Sequence, residues 1–129
     1  IQPGEHGSTF GGNPLSSSVS KAALEVIIEE NLSEKAYKLG NLFRNELTLS
    51  LSKSKIVSSI RGKGLLNAIE VNDSPDSKTA WNICLSLMKN GLLAKPTHGN
   101  IIRFAPPLVI KKDELIKSIN IIVKTFDEY

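Results

Sequence analysis

Ile56-Val57-Ser58-Ser59-Ile60-Arg61-Gly62-Lys63-Gly64-Leu65-Leu66-Asn67-Ala68-Ile69-Glu70-Val71 is where the chain changes its hydrophobic rhythm. On either side of it, apolar residues recur every three or four positions. Within it, Ile56, Val57 and Ile60 precede Gly62-Lys63-Gly64, and an apolar run over 65–71 follows. A β-branched, roughly alternating pattern interrupted by two glycines predicts two strands joined by a turn. Gly62 and Gly64 also begin a G-x-G-x-x-G spacing. Asn67 occupies the third glycine position, however, and strands rather than a helix flank it, so a dinucleotide fingerprint is rejected.

Towards the N-terminus, Leu15, Val19, Ala22, Ala23, Val26 and Ile27 lie on one helical stripe. Asn13 is suited to the N-cap and Pro14 to the first turn, which predicts a helix over about 14–30 that packs on that face. Asn31 followed by Glu34 resembles a capping box, and Ala36, Leu39, Phe43, Leu47 and Leu51 continue a second helix over about 33–52. Towards the C-terminus, Asn72-Asp73-Ser74-Pro75-Asp76-Ser77 is a turn-forming break able to cap a third helix. Ala80, Ile83, Cys84, Leu87 and Met88 form the stripe of that helix, and Asn90-Gly91 stops it. Short strands are predicted over 92–95 and 101–105, ended by Pro106-Pro107, then a last amphipathic helix over about 112–127. The order ααββαββα defines an α+β domain in which a small, mainly antiparallel sheet is covered by helices.

Composition sets the outer bounds. A chain of 129 residues with 40% hydrophobic content can build one core of ordinary size. Lys and Arg number 16 against 13 Asp and Glu, for a net charge of +3, and the cations are scattered, which is no footprint for a polyanion such as nucleic acid. Cys84 is the only cysteine, so no intrachain disulfide forms, and its place in an apolar stripe predicts a buried, inert thiol. Two matches to the glycosylation triplet, at Asn31 and Asn72, are too loose a pattern to indicate secretion. Neither His6 nor His98 has the neighbours of a metal site.

The remaining segment of note is Gly4-Glu5-His6-Gly7-Ser8-Thr9-Phe10-Gly11-Gly12-Asn13-Pro14. Glycines bring backbone amides close to a ligand, and the Ser8 and Thr9 hydroxyls add donors, so the loop is shaped to accept an anion. By residue type alone it is also a flexible linker. Resemblance separates the two. The run from His6 to Pro14 resembles the H-G-S-T-(F/Y)-G-G-N-P segment of the class III pyridoxal-phosphate-dependent aminotransferases, and in particular their members acting on ornithine. The likeness continues through Arg61-Gly62-Lys63-Gly64-Leu65-Leu66-Asn67-Ala68-Ile69, Asn90-Gly91-Leu92-Leu93-Ala94-Lys95-Pro96-Thr97-His98 and Ile101-Ile102-Arg103-Phe104-Ala105-Pro106-Pro107-Leu108-Val109-Ile110.

The resemblance implies a fold-type I architecture in which residues 31–129 are the C-terminal small domain. Residues 1–30 are then the cofactor-phosphate loop and linking helix of the large domain. It implies that the Thr9 hydroxyl binds the phosphate of pyridoxal 5'-phosphate held mainly by the other subunit of a homodimer, with Ser8, Gly11 and Gly12 supporting that geometry. It assigns Arg103 to a substrate carboxylate. Arg103 stands between residues expected to be buried, where its guanidinium needs an acidic partner. The family's Schiff-base lysine precedes the glycine-rich loop, so Lys21, Lys63 and Lys95 are not that residue. Since the chain opens on Ile1-Gln2-Pro3, it is expected to be part of a longer enzyme and inactive alone. The implied reaction takes L-ornithine and 2-oxoglutarate to glutamate-5-semialdehyde and glutamate, in the cytosol or the mitochondrial matrix. Acetylornithine or 4-aminobutyrate as donor, or a non-enzymatic anion-binding module, are the alternatives.

Overall fold

The computed structural model describes residues 1–129 throughout. Its elements are α1 (Pro14–Glu29), α2 (Leu32–Ser50), β1 (Val57–Lys63), β2 (Leu66–Val71), α3 (Thr79–Lys89), β3 (Lys95–Thr97), β4 (Ile101–Phe104) and α4 (Lys112–Phe126). They fall into two compact units, Ile1–Leu32 and Ser33–Tyr129.

The larger unit is α+β, as expected, and its four strands form one antiparallel sheet in the order β1-β2-β4-β3. Side chains alternate between the faces of a strand. Asn67, Ile69 and Val71 of β2 and Ile102 and Phe104 of β4 therefore bury on one face, together with the buried positions of α2, α3 and α4. Leu47, Ile69, Ile83, Leu87, Ile102, Leu115, Ile122 and Phe126 make the centre of this core, and the Phe43 and Phe104 rings meet at 5.9 Å in a tilted pair. Each large apolar side chain buried this way contributes about 1.5–3 kcal/mol. The opposite face of the sheet carries Arg61, Lys63, Leu66, Ala68, Ile101 and Arg103 and is left open.

Two close approaches fix how α2 sits on the sheet. A Cβ on Gly40 would stand 1.8 Å from the Gly64 carbonyl oxygen, so helix and hairpin turn touch backbone to backbone. Beside that contact, Arg44 reaches across to the hairpin with its guanidinium.

Two predicted details are corrected. Strand β3 begins at Lys95, not residue 92, because the Leu92 amide bonds the Leu87 carbonyl at 2.9 Å and is spent closing α3. Pro96 then falls in the strand, which an edge position tolerates. Asn31 is not a capping residue for α2: it takes a left-handed conformation at φ 48°, and its amide donates to Ile28 O at 3.1 Å to end α1.

In the smaller unit, α1 starts as the sequence predicts. Asn13 is extended (φ −65°, ψ 151°) and its side chain accepts from the Ser16 amide at 3.0 Å, with Pro14 in the first turn. The expected packing of its apolar stripe is not found within these residues. Nothing in α1 is buried, and Leu15, Val19, Leu24 and Ile28 are all more than half exposed.

Candidate active-site elements

The glycine-rich loop is exposed from Gly4 to Gly12. Ser8 Oγ accepts from the Gly11 amide at 2.8 Å, closing a tight hydroxyl-to-backbone turn. A Cβ on Gly11 would sit 2.9 Å from Ser8 Cβ, so that turn needs glycine there. Gly12 takes φ 79° with open space where a Cβ would be, and Asn13 stacks a further bond from its side-chain amide onto the Phe10 carbonyl. Gly7 and Gly11, by contrast, do not adopt positive φ. Ser8 and Gly11 thus shape the loop and occupy each other, whereas the Thr9 hydroxyl makes no hydrogen bond within the chain and is turned to solvent.

Arg103 is placed by register. The expectation that it is buried between its neighbours is overturned: β4 buries Ile102 and Phe104, and the alternation sends Arg103 to the open face, exposed and without a carboxylate partner. The two ion pairs of the molecule, Lys21 with Glu25 and Lys38 with Glu34, lie on α1 and α2. Cross-strand partners run Arg61–Ala68–Arg103–Lys95, one row spanning all four strands. Directly paired residues of antiparallel strands share a face. Three cations therefore stand in line, and small Ala68 leaves room between Arg61 and Arg103.

Arg61, Ala68 and Arg103 of this row floor a groove of about 330 Å³, lined also by Lys63, Thr97 and His98, among others, with no acidic side chain in its walls. Glu70 lies on the same face one row away, where its carboxylate accepts from Ser59 Oγ at 3.0 Å. An uncompensated group of guanidinium and ammonium charges on an open face attracts carboxylates, and the planar fork of Arg103 suits bidentate capture.

Both walls of the groove are pinned from behind. On the hairpin side, one Arg44 guanidinium nitrogen donates to Gly64 O at 3.0 Å and to Asn67 Oδ1 at 2.6 Å, and the other to Asn41 Oδ1 at 2.6 Å. On the other side, His98 (φ 49°) and Gly99 (φ 78°) turn the chain between β3 and β4. Asn100 ties that turn down, its amide nitrogen donating to the Val71 and Asp73 carbonyls at 3.2 and 3.3 Å. Asp73 in turn accepts from the Thr79 hydroxyl and the Ser74 amide, which hold its carboxyl below the usual carboxylate range. Cys84 is buried, and desolvation pushes its thiol up to about 11.

As a ligand-binding residue, the sequence singled out Arg103 alone on this face. Arg61, Lys63 and His98 join it only through strand pairing, and Arg44 and Asn67, separated by 23 positions, only through packing. The one available signal was the alternation of 101–104, which correctly applied places Arg103 away from Ile102 and Phe104.

The chain belongs to the family Aminotransferase class-III, whose model matches residues 1–126. Among its relatives, the mitochondrial ornithine aminotransferase of Drosophila melanogaster is 62% identical over 97% of this chain, and that of Rattus norvegicus 58% identical over 97%. The chain spans 28% of the length of each. Among solved structures, an acetylornithine aminotransferase from Elizabethkingia anophelis superposes with a TM-score of 0.91 at 61% identity, covering all of this chain and 32% of that one. The ornithine δ-aminotransferase of Plasmodium falciparum superposes at 0.88 with 46% identity, again over all of this chain and 32% of that one. No helix is long and apolar enough to cross a membrane.

Proposed function

We propose that these residues are the phosphate-anchoring loop and carboxylate-binding small domain of a pyridoxal-phosphate-dependent ornithine aminotransferase. The whole enzyme would move the δ-amino group of L-ornithine to 2-oxoglutarate, giving glutamate-5-semialdehyde and glutamate, in the mitochondrial matrix or the cytosol. The observation that carries this reading is the unpaired Arg103 in a groove without acids, within a chain 62% identical to a relative named ornithine aminotransferase.

The loop's donor set fits a phosphate group: a free Thr9 hydroxyl, exposed amides, and a Gly12 with open space above its backbone. When bound, pyridoxal phosphate supplies the electron sink for cleaving a C–H bond beside the amino nitrogen. Thr9 donates to the phosphate of a cofactor held mainly by the other subunit of a homodimer. Ser8, Gly11 and Gly12 keep the loop in the shape that presents that hydroxyl. Arg103 orients the substrate by its carboxylate; it pairs with a glutamate outside these residues while ornithine is bound, then receives the keto acid. The lysine that binds the cofactor also lies outside these 129 residues.

A second reading, transfer from N-acetylornithine, is favoured by the 61% identity to the Elizabethkingia protein. Glutamate formation by the full-length enzyme, measured with L-ornithine, N-acetylornithine and 4-aminobutyrate as donors, decides between them. L-ornithine is expected to give the highest kcat/KM by about tenfold or more, the scale of discrimination a site makes through one matched charged or polar group. A preference for either other donor sinks the ornithine assignment.

A further inference from the structure

We infer that Arg44 is a positioning residue for the carboxylate groove: acting through Asn67, it fixes the hairpin wall that faces Arg103. The inference rests on the proposed role of Arg103 and adds a residue outside the groove that sets its geometry.

Arg44 is half-buried on α2, and two of its three hydrogen bonds end on the hairpin. Asn67 is 2% exposed and is one of only two buried polar residues in the domain. Its amide oxygen accepts from Arg44, while its amide nitrogen reaches the same Gly64 carbonyl at 3.3 Å. Arg44, Asn67 and Gly64 therefore form a closed triangle of donors and acceptors on the core side of the turn. Gly40, one turn earlier on α2, brings the helix backbone against Gly64 and leaves the triangle no slack.

The anchor sits one residue before Ala68, the hairpin residue paired with Arg103. Asn67 faces inward and pairs with Phe104; the next residue, Ala68, faces outward and pairs with Arg103. The segment from Arg61 to Ala68 lines the groove through Arg61, Gly62, Lys63, Leu66, Asn67 and Ala68. A strand is stiff over two residues, so fixing Asn67 from behind fixes the height and tilt of Ala68 against the Arg103 side chain. A displacement of about 1 Å at a substrate-positioning contact is enough to cost up to 100-fold. A purely structural Arg44 would lower stability when replaced and leave the groove's affinity intact.

The test uses full-length enzyme carrying Arg44→Lys or Asn67→Leu, with Ile119→Val as a core-weakening control. Lysine keeps the charge but, with a single nitrogen on a shorter side chain, cannot hold the hairpin acceptors and Asn41 together as the planar guanidinium does. The Kd for 2-oxoglutarate, by equilibrium titration, is expected to rise roughly 5- to 20-fold in both clamp variants, while the saturated single-turnover rate with ornithine stays within about twofold. Amides 64–68 should exchange faster with deuterium in both, and the double variant should be no worse than either single one, because the two residues form one unit. The control should lower Tm without moving that Kd. Clamp variants that lower Tm while keeping the control's affinity would overturn the positioning role. Arg103→Lys measured alongside separates the failures: unchanged affinity there overturns the role of Arg103 and this inference with it. Lost affinity there, with wild-type affinity in Arg44→Lys, overturns this inference alone.

Discussion

Helices α1 and α4 are nearly equal in length and each carries an apolar stripe, yet they end in opposite circumstances. In α4, Leu115, Ile119, Ile122 and Phe126 are all buried, and even Thr125 is fully covered, accepting from the Asn90 side chain at 3.0 Å. In α1 nothing is buried, and Leu15 and Ile28 remain about three-quarters exposed. Periodicity reports which face of a helix favours burial, because the cost of wetting apolar surface is a property of the residues. It does not report whether the covering partner lies in the same stretch of chain.

Side-chain truncation is the strongest way to break this contrast. Phe126→Ala is expected to destabilise the Ser33–Tyr129 unit by about 3–5 kcal/mol, the cost of lost burial plus a cavity, while Leu15→Ala in the same 129-residue chain stays within about 0.5 kcal/mol. Urea unfolding of the two variants checks it. Comparable losses would show that α1 is packed after all.

Gly40→Ala probes the dense region without removing anything. The added methyl collides with the Gly64 carbonyl at 1.8 Å, and backbone cannot move aside as a flexible side chain does. A loss of about 2–3 kcal/mol by the same measurement is expected, the upper range for overpacking. A neutral result would mean that α2 and the hairpin do not touch in this way.

The loop should behave oppositely, with function sensitive and stability indifferent. On the proposed reading, Thr9→Ala in the full-length enzyme removes one charge-assisted hydrogen bond and weakens cofactor retention by about 1.5–3 kcal/mol. Absorbance titration measures it, and an unchanged dissociation constant rejects Thr9 as a phosphate ligand. The unfolding midpoint of the cofactor-free protein should not shift, since an exposed hydroxyl without partners contributes nothing to the fold.

The smallest effect is a pH dependence confined to the core. Burial raises the Cys84 thiol from an ordinary 9.0 to about 11, so the folded state favours the neutral form. The stabilisation is present in full below pH 9 and is lost as pH rises towards 11, where the unfolded chain gains by ionising. Stability followed across that window should fall more steeply in the parent than in Cys84→Ala. Parallel curves would place the thiol in contact with water.

The contrast also marks how far the sequence could be read. Features whose cause is local were legible: the Asn13 cap, the Gly91 stop at φ 89°, the apolar stripe of α4 and the existence of the β1–β2 hairpin, although its turn falls at Gly64-Leu65 and Gly62 and Lys63 are paired within the strand. The start of β3 was misjudged because helix closure by Leu92 competes for the same residues, and local apolar content does not say which bond wins. Arg103 was found for its chemistry but placed in the wrong surroundings. Its neighbours in sequence, Ile102 and Phe104, belong to the core, whereas its neighbours in space, Arg61 and Lys95, arrive from other strands.

The sequence by itself determined which segments are helix and which are strand to within a few residues, where the glycine-rich loop lies, and which faces of the elements favour burial. Those follow from dihedral preferences and from the periodic placing of apolar residues, and each is settled within a few positions of chain. Only the tertiary structure decided that β4 inserts beside β2, that Arg61, Ala68, Arg103 and Lys95 form one row, and that Arg44 grips Asn67 from behind that row. Pairing between strands more than 30 positions apart, and the seating of a helix on the resulting sheet, depend on the simultaneous burial of many side chains. No local window of sequence carries that information.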